Sequence, residues 1–199
     1  MRQFSFVNDP GAQAILAALP SGSTRFVGGC VRNALWGQAV ADIDMATTLE
    51  PEAVNKALKA AGIKTVPTGI AHGTLTAVVK GKPYEITTLR RDVETDGRRA
   101  VIAYTEDWAE DAQRRDFTVN ALYADADHEI YDPTGEGLAD IEARRFRFVG
   151  AADARVKEDY LRILRLFRFV AWYGQDATIT KDALPACREN RAGLKKLSA

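Results

Sequence analysis

At 199 residues, with 46% apolar and 27% charged side chains, the chain has the make-up of a globular protein able to bury a sizeable core. Its formal net charge is zero but unevenly spread: residues 1–140 hold 14 Lys+Arg against 20 Asp+Glu, and residues 141–199 hold 13 against 7. Cys30 and Cys187 are far apart and outside any C-x-x-C pair, which excludes a disulfide scaffold or zinc site and fits a reducing, cytoplasmic setting. No apolar run approaches the roughly eighteen residues of a membrane span, and the start MRQFSFVNDPGAQ lacks the basic-then-apolar pattern of a signal peptide.

In chain order, Pro10 and Pro20 bracket an expected helix over 10–19. TRFVGG reads as a short strand ending in glycines, and CVRNALWG as a helix closed by Gly37. DIDMATT is extended. Pro51 opens a helix that Gly62 stops. TLTAVVKGKPYEITTLR predicts two strands around a tight turn at 80–83. Residues 91–105, with Asp96-Gly97, are expected to form a mobile polar loop. A helix is expected over 106–123, then a strand, a Gly/Pro connector and a short return strand in HEIYDPTGEGLADIEARRFRFV. One long helix is predicted near 153–173, and another from about 181.

The acidic front and basic back suggest metal chemistry in one part and an anionic partner near the other, or simply solvated surface. On a strand, Asp42 and Asp44 point to the same face and repel. Sharing a divalent cation makes that closeness favourable, and hard oxygen ligands suit Mg²⁺. D-x-D is also common on ordinary surfaces. Gly28 and Gly29, between a strand and a helix, would let backbone N–H groups approach a phosphate, with Arg32 a turn further on to grip the same anion. The same pair could be a plain tight turn. Glu85, between Tyr84 and Ile86, faces away from both. It is either a third site carboxylate or an ordinary outward glutamate.

Together the stretches VGGCVRNALWGQAVADIDMAT, TGIAHGTLTAVV, YEITTLR, RRDFTVNAL, DPTGEGLADI and KEDYLRILRLFRF resemble, in order, the motifs of class II CCA-adding tRNA nucleotidyltransferases and bacterial poly(A) polymerases. These families belong to the polymerase beta nucleotidyltransferase superfamily. The resemblance runs from about residue 24 to the end. It implies an α+β fold: a head with a mixed sheet flanked by helices over 1–150, then the start of a helical neck over 151–199, with further body and tail domains expected beyond. It implies transfer of C and A from CTP and ATP to a tRNA 3′ end. By position, Asp42 and Asp44 would hold Mg²⁺ and act in catalysis with Glu85, while Gly28, Gly29, Arg32, Arg114, Arg115 and Asn120 would bind the nucleotide. In KEDYLRILRLFRF, Asp159 and Arg162 are i and i+3 on the predicted helix, and a carboxylate with a guanidinium can match the polar edge of cytosine or adenine. The resemblance assigns them that role, with Glu158 orienting them and Arg165 and Arg168 continuing the row. Without it, a helix with Leu161, Leu164 and Phe167 inward and its arginines in water is the favoured reading.

The arginine of the first motif is usually followed by Asp in these enzymes; here Asn33 follows it. The other readings are a poly(A) polymerase, a CC-only enzyme and a non-catalytic nucleotide- or RNA-binding module. The polar loop at 91–105 favours the full CCA-adding enzyme, and intact Asp42 and Asp44 oppose the last reading.

Overall fold

The computed structural model describes residues 3–96, 100–174 and 177–197. Helix α1 (Pro10–Ala18) starts where the Asp9 carboxylate caps the amides of Gly11 and Ala12. Strand β1 (Thr24–Val27) runs into α2 (Gly29–Leu35), and β2 (Asp44–Thr47) into α3 (Pro51–Ala60). Strands β3 (Lys64–Gly69), β4 (Thr74–Val79) and β5 (Lys82–Thr88) form a meander. The β4–β5 turn has positive φ at Lys80 and Gly81, as the tight turn at 80–83 requires.

Next come β6 (Arg90–Thr95), β7 (Ala100–Tyr104), α4 (Trp108–Gln113), β8 (Tyr123–Ala124), β9 (Ile130–Tyr131), α5 (Gly137–Glu142) and β10 (Arg145–Phe146). The chain then runs through α6 (Ala152–Glu158), α7 (Leu161–Tyr173), β11 (Thr178–Ile179) and α8 (Ala183–Glu189). Seven strands make one mixed sheet in the order β3-β4-β5-β2-β1-β8-β9, in which β2–β5 is the parallel pair. The α+β architecture is therefore the expected one. None of the helices among the described residues is long and apolar enough to cross a membrane.

Alternation along the strands sorts the side chains into two layers. Phe26, Met45, Tyr84 and Ile86 join α1 and α3 residues such as Ile15, Val54 and Leu58 in the main core. Val27 and Ala46 face the other way, into a smaller cluster with Leu89, Ala112, Ala121 and Tyr123. Asp44 and Glu85 share the parity of Ala46, so they open onto this second face.

Four expectations are corrected. The polar segment 91–105 is a β-hairpin over its described part, with register Arg90↔Tyr104 to Thr95↔Ala100; the Gly97 half of the expected turn lies outside the described residues. The helix expected over 106–123 stops at Gln113, because the following arginines, aspartate and asparagine are drawn into buried polar contacts. Only a 3₁₀ turn, Thr118–Asn120, follows before β8. The Gly/Pro connector contains α5, and β10 pairs in parallel with β11 rather than returning to β9. The long helix at 153–173 is two helices, broken at Asp159, whose backbone is extended (φ −150, ψ 107).

Candidate active site

The β1–α2 junction is the first part of the site. Gly28 has φ 72 and ψ −120, a combination side chains avoid. A Cβ there would lie 3.9 Å from Arg115 Nη1, and one at Gly29 would lie 3.9 Å from Arg32 Nη2. The glycine turn thus lies beside two guanidinium groups. That is an anion cradle with a cationic floor.

The carboxylates stand on the next strands. Asp44 opens β2 and pairs in register with Glu85 on β5, so the two side chains share a face of a parallel ladder. Asp42 lies just before β2 and is exposed, as is Glu85. Burial, then Glu85, then Asp42 push the Asp44 carboxyl up to about 6, and Arg115 pulls it back. This is the repulsion expected of Asp42 and Asp44, with Glu85 its larger contributor. An all-oxygen, crowded donor set fits a hard divalent cation, which would relieve the repulsion. Among the described residues, no three acidic, His or Cys side chains already stand together as a formed metal group.

The RRDFTVNAL segment supplies the cations and is held by buried aspartates. Asp111 Oδ1 accepts from Arg114 Nε and Nη2 at 2.9 and 2.6 Å. Its Oδ2 accepts from Arg115 Nε and Nη2 at 3.1 and 2.8 Å and from the Tyr123 hydroxyl at 2.7 Å. Burial opposes its charge, but Arg115 and Arg114 outweigh burial and hold the carboxyl well below the usual range. Asp116, also buried, accepts from Asn120 Nδ2 at 2.9 Å and from Arg165 Nε at 2.6 Å. Asn120 Oδ1 in turn accepts from Arg32 Nη1. A continuous polar chain therefore runs from the glycine turn through Arg32, Asn120 and Asp116 to Arg165 on α7.

The α6–α7 break reshapes the base-reading proposition. Asp159 and Arg162 are not neighbours on one helix face. The Asp159 carboxylate accepts from the Leu161 amide at 3.0 Å and starts α7. Arg162 is buried, donating to Glu158 Oε2 at 2.7 Å and to the Arg114 carbonyl at 2.7 Å. Glu158 also accepts from Arg155. Arg165 joins the network through Asp116, whereas Arg168 is exposed, its guanidinium 5.5 Å from the Phe169 ring centre. The structure thus gathers Gly28, Gly29, Arg32, Arg115, Asn120, Asp44 and Glu85 about the glycine turn and β2. Glu158, Asp159, Arg162 and Arg114 stand where α6 and α7 meet, and Arg168 belongs to neither group. Asp111, Asp116 and Tyr173 had not been singled out from sequence; Asp111 could have been, since Arg114 and Arg115 follow it at i+3 and i+4.

A glycine turn beside two guanidinium groups and strand-borne carboxylates, on a mixed sheet flanked by helices, is the arrangement of a nucleotidyltransferase head. The chain matches the family described as "Poly A polymerase head domain" over residues 24–147 and belongs to it. Members of this class generally use a divalent metal ion. The chain is 44% identical over 179 residues to "CCA tRNA nucleotidyltransferase 1, mitochondrial" of Danio rerio, covering 87% of this chain and 41% of that protein. It is 42% identical over 175 residues to the "CCA-adding enzyme" of Streptococcus pyogenes serotype M2 (strain MGAS10270), covering 87% and 42%. Its structure is similar to that of the Bacillus stearothermophilus CCA-adding enzyme in complex with CTP, with TM-score 0.82 and 37% identity, covering 94% of this chain and 45% of that one. The chain thus spans less than half the length of these relatives.

Proposed function

We propose that this chain carries the catalytic head and base-selecting helices of an enzyme that adds C and A to tRNA 3′ ends from CTP and ATP, releasing pyrophosphate. The observation that carries the reading is the in-register pair Asp44↔Glu85 beside a glycine turn that lies against Arg32 and Arg115. The names of the relatives supply the substrates: enzymes called CCA-adding match across this site, and one similar structure holds CTP.

In this reading the Gly29 amide meets the triphosphate, Gly28, whose own amide donates to the Leu122 carbonyl at 3.3 Å, makes the turn that lets it approach, and Arg32 and Arg115 neutralise it. The 3′-hydroxyl oxygen of the tRNA bonds to the α-phosphorus as the bond to the β-phosphate's bridging oxygen breaks, and pyrophosphate leaves. Glu85, exposed and opposite Asp44, is placed to take the hydroxyl proton. Asp42 and Asp44 would hold Mg²⁺, which when bound stabilises the attacking and leaving oxygens. Asp159, with Arg162 held by Glu158, would read the base edge, and Arg114 and Arg165 would line the approach. The buried, unpaired Cys30 and Cys187 suit a reducing compartment, and the reading places the enzyme in the cytoplasm.

The family's own description favours one second reading, a poly(A) polymerase that adds only A. The test is Mg²⁺-dependent incorporation of labelled CTP and ATP into tRNA lacking its 3′ end, using the intact enzyme. Asp42→Ala and Asp44→Ala should each abolish transfer, with melting temperature unchanged or raised because a repelling charge is gone. Transfer surviving in either variant would sink the metal assignment. Incorporation of ATP alone would select the second reading.

A further inference from the structure

Arg32 is buried, yet among the described residues its direct hydrogen-bond partners are all neutral. Nη1 donates to Asn120 Oδ1. Nε and Nη2 donate to Asn33 Oδ1 at 3.2 and 2.9 Å, and Nη2 also donates to the Tyr173 hydroxyl oxygen at 2.6 Å. The Tyr173 hydroxyl passes its own hydrogen to Asn33 Oδ1 at 3.1 Å. Asp116, whose charge also reaches Arg32, is already paired with Arg165. The Phe169 and Tyr173 rings each lie 4.9 Å from the guanidinium carbon and favour the cation.

Neutral partners fix a guanidinium without cancelling its charge. Tyr173 is the member of the set farthest along the chain: it ends α7, 141 residues after Arg32. Its ring is itself seated, stacked on Phe169 at 5.8 Å and 13° and against Trp36 at 5.0 Å. A hydroxyl on so constrained a ring can move little, so it sets the direction of Arg32 Nη2, the atom that lies beneath Gly29.

We propose that Tyr173 is the positioning residue for Arg32. Its hydroxyl holds the guanidinium under the glycine turn with its charge unspent, so that triphosphate affinity is governed from the last turn of α7. The inference rests on the assignment of Arg32 to the triphosphate under the proposed function.

Tyr173→Phe keeps the ring stack and removes only the hydroxyl. Titrate the intact protein calorimetrically with CTP and with cytidine, each with Mg²⁺ present, and measure KM and kcat for CTP addition. Loss of one hydrogen bond to a charged group should weaken CTP binding roughly five- to tenfold. Cytidine binding should stay the same, melting temperature should fall only by what one lost hydrogen bond costs, roughly 3–10 °C, and KM should rise with kcat changed less than about twofold. Arg32→Ala should lower CTP affinity further, and adding Tyr173→Phe to it should cost nothing more. If Arg32→Ala leaves CTP affinity intact, the assignment of Arg32 to the triphosphate falls. If Arg32→Ala weakens CTP but Tyr173→Phe does not, or if the Tyr173→Phe loss persists without Arg32 or extends to cytidine, the positioning role is refuted.

Discussion

Replacing Asp111 by Asn is the sharpest probe of how the RRDFTVNAL segment is held. The side chain of Asp111 is 1% exposed and those of Arg114 and Arg115 are 15% and 17% exposed, so all three charges have lost most of their water. Asparagine keeps the shape but turns one acceptor into a donor that faces guanidinium N–H groups. Two largely buried cations then lack a counter-charge. Breaking a buried pair by removing one partner costs about 3–5 kcal/mol, and here two pairs share one carboxylate, so the upper half of that range is expected. For a chain of this size, about 1 kcal/mol shifts the melting temperature by roughly 2–4 °C, so the loss should be on the order of 10 °C or more.

The assay is thermal and urea unfolding of wild type and variant across pH. Because the folded carboxyl is held well below the usual range, its contribution is complete above the unfolded pKa of about 3.9 and is lost as pH falls toward its folded pKa. The gap between wild type and Asp111→Asn should be constant from neutral pH down to about 4 and narrow below that. A gap under about 1 kcal/mol at pH 7, the worth of an exposed pair, would refute the account. So would a gap that does not narrow in acid.

Further outcomes are expected elsewhere in the site. Gly28→Ala, at φ 72 and ψ −120, should cost about 1–3 kcal/mol of stability and weaken CTP binding, read by unfolding and calorimetry; an unperturbed variant would show that the turn is not strained. Asp159→Ala should blunt the preference for CTP and ATP over UTP and GTP roughly ten- to a hundredfold. Equal loss for all four nucleotides would make Asp159 a helix-starting residue alone.

Where sequence succeeded, one local rule was enough. Asp9-Pro10 starts α1, Pro51 and Gly62 bound α3, and a period of two sends Tyr84 and Ile86 one way and Glu85 the other. The register that sets Asp44 opposite Glu85 is a property of the β2–β5 pairing, which no local pattern contains. The failures share a cause. Residues 106–123 and 153–173 have helical periodicity, yet both are interrupted where polar side chains are claimed by partners distant in sequence: Asp116 by Arg165, and the Arg114 carbonyl by Arg162. Burying a charge without a partner costs more than the few tenths of a kcal/mol by which propensity distinguishes most residues, so the pairings decide where the helices stop.

The same pairings explain why the glycine-turn end and the α6–α7 end of the site are one unit. Asp111 and Asp116 fix the RRDFTVNAL segment to α4 and α7, and Asp140, wholly buried, holds it from below through the Thr118 hydroxyl at 2.7 Å. Arg145 and Arg147 neutralise Asp140 in turn. Every one of these aspartates is matched by at least one arginine, so the network can be buried without an orphan charge, while the hydrogen-bond partners of Arg32 among the described residues are neutral. A site built this way keeps the Arg32 guanidinium beside the glycine turn, where the proposed function puts the triphosphate. It also ties that guanidinium to α7 twice, through Tyr173 directly and through Asn120, Asp116 and Arg165. Any movement of α7 that accompanies the choice of base must therefore be felt at Arg32, and discrimination among bases and affinity for triphosphate are expected to shift together when α7 is altered.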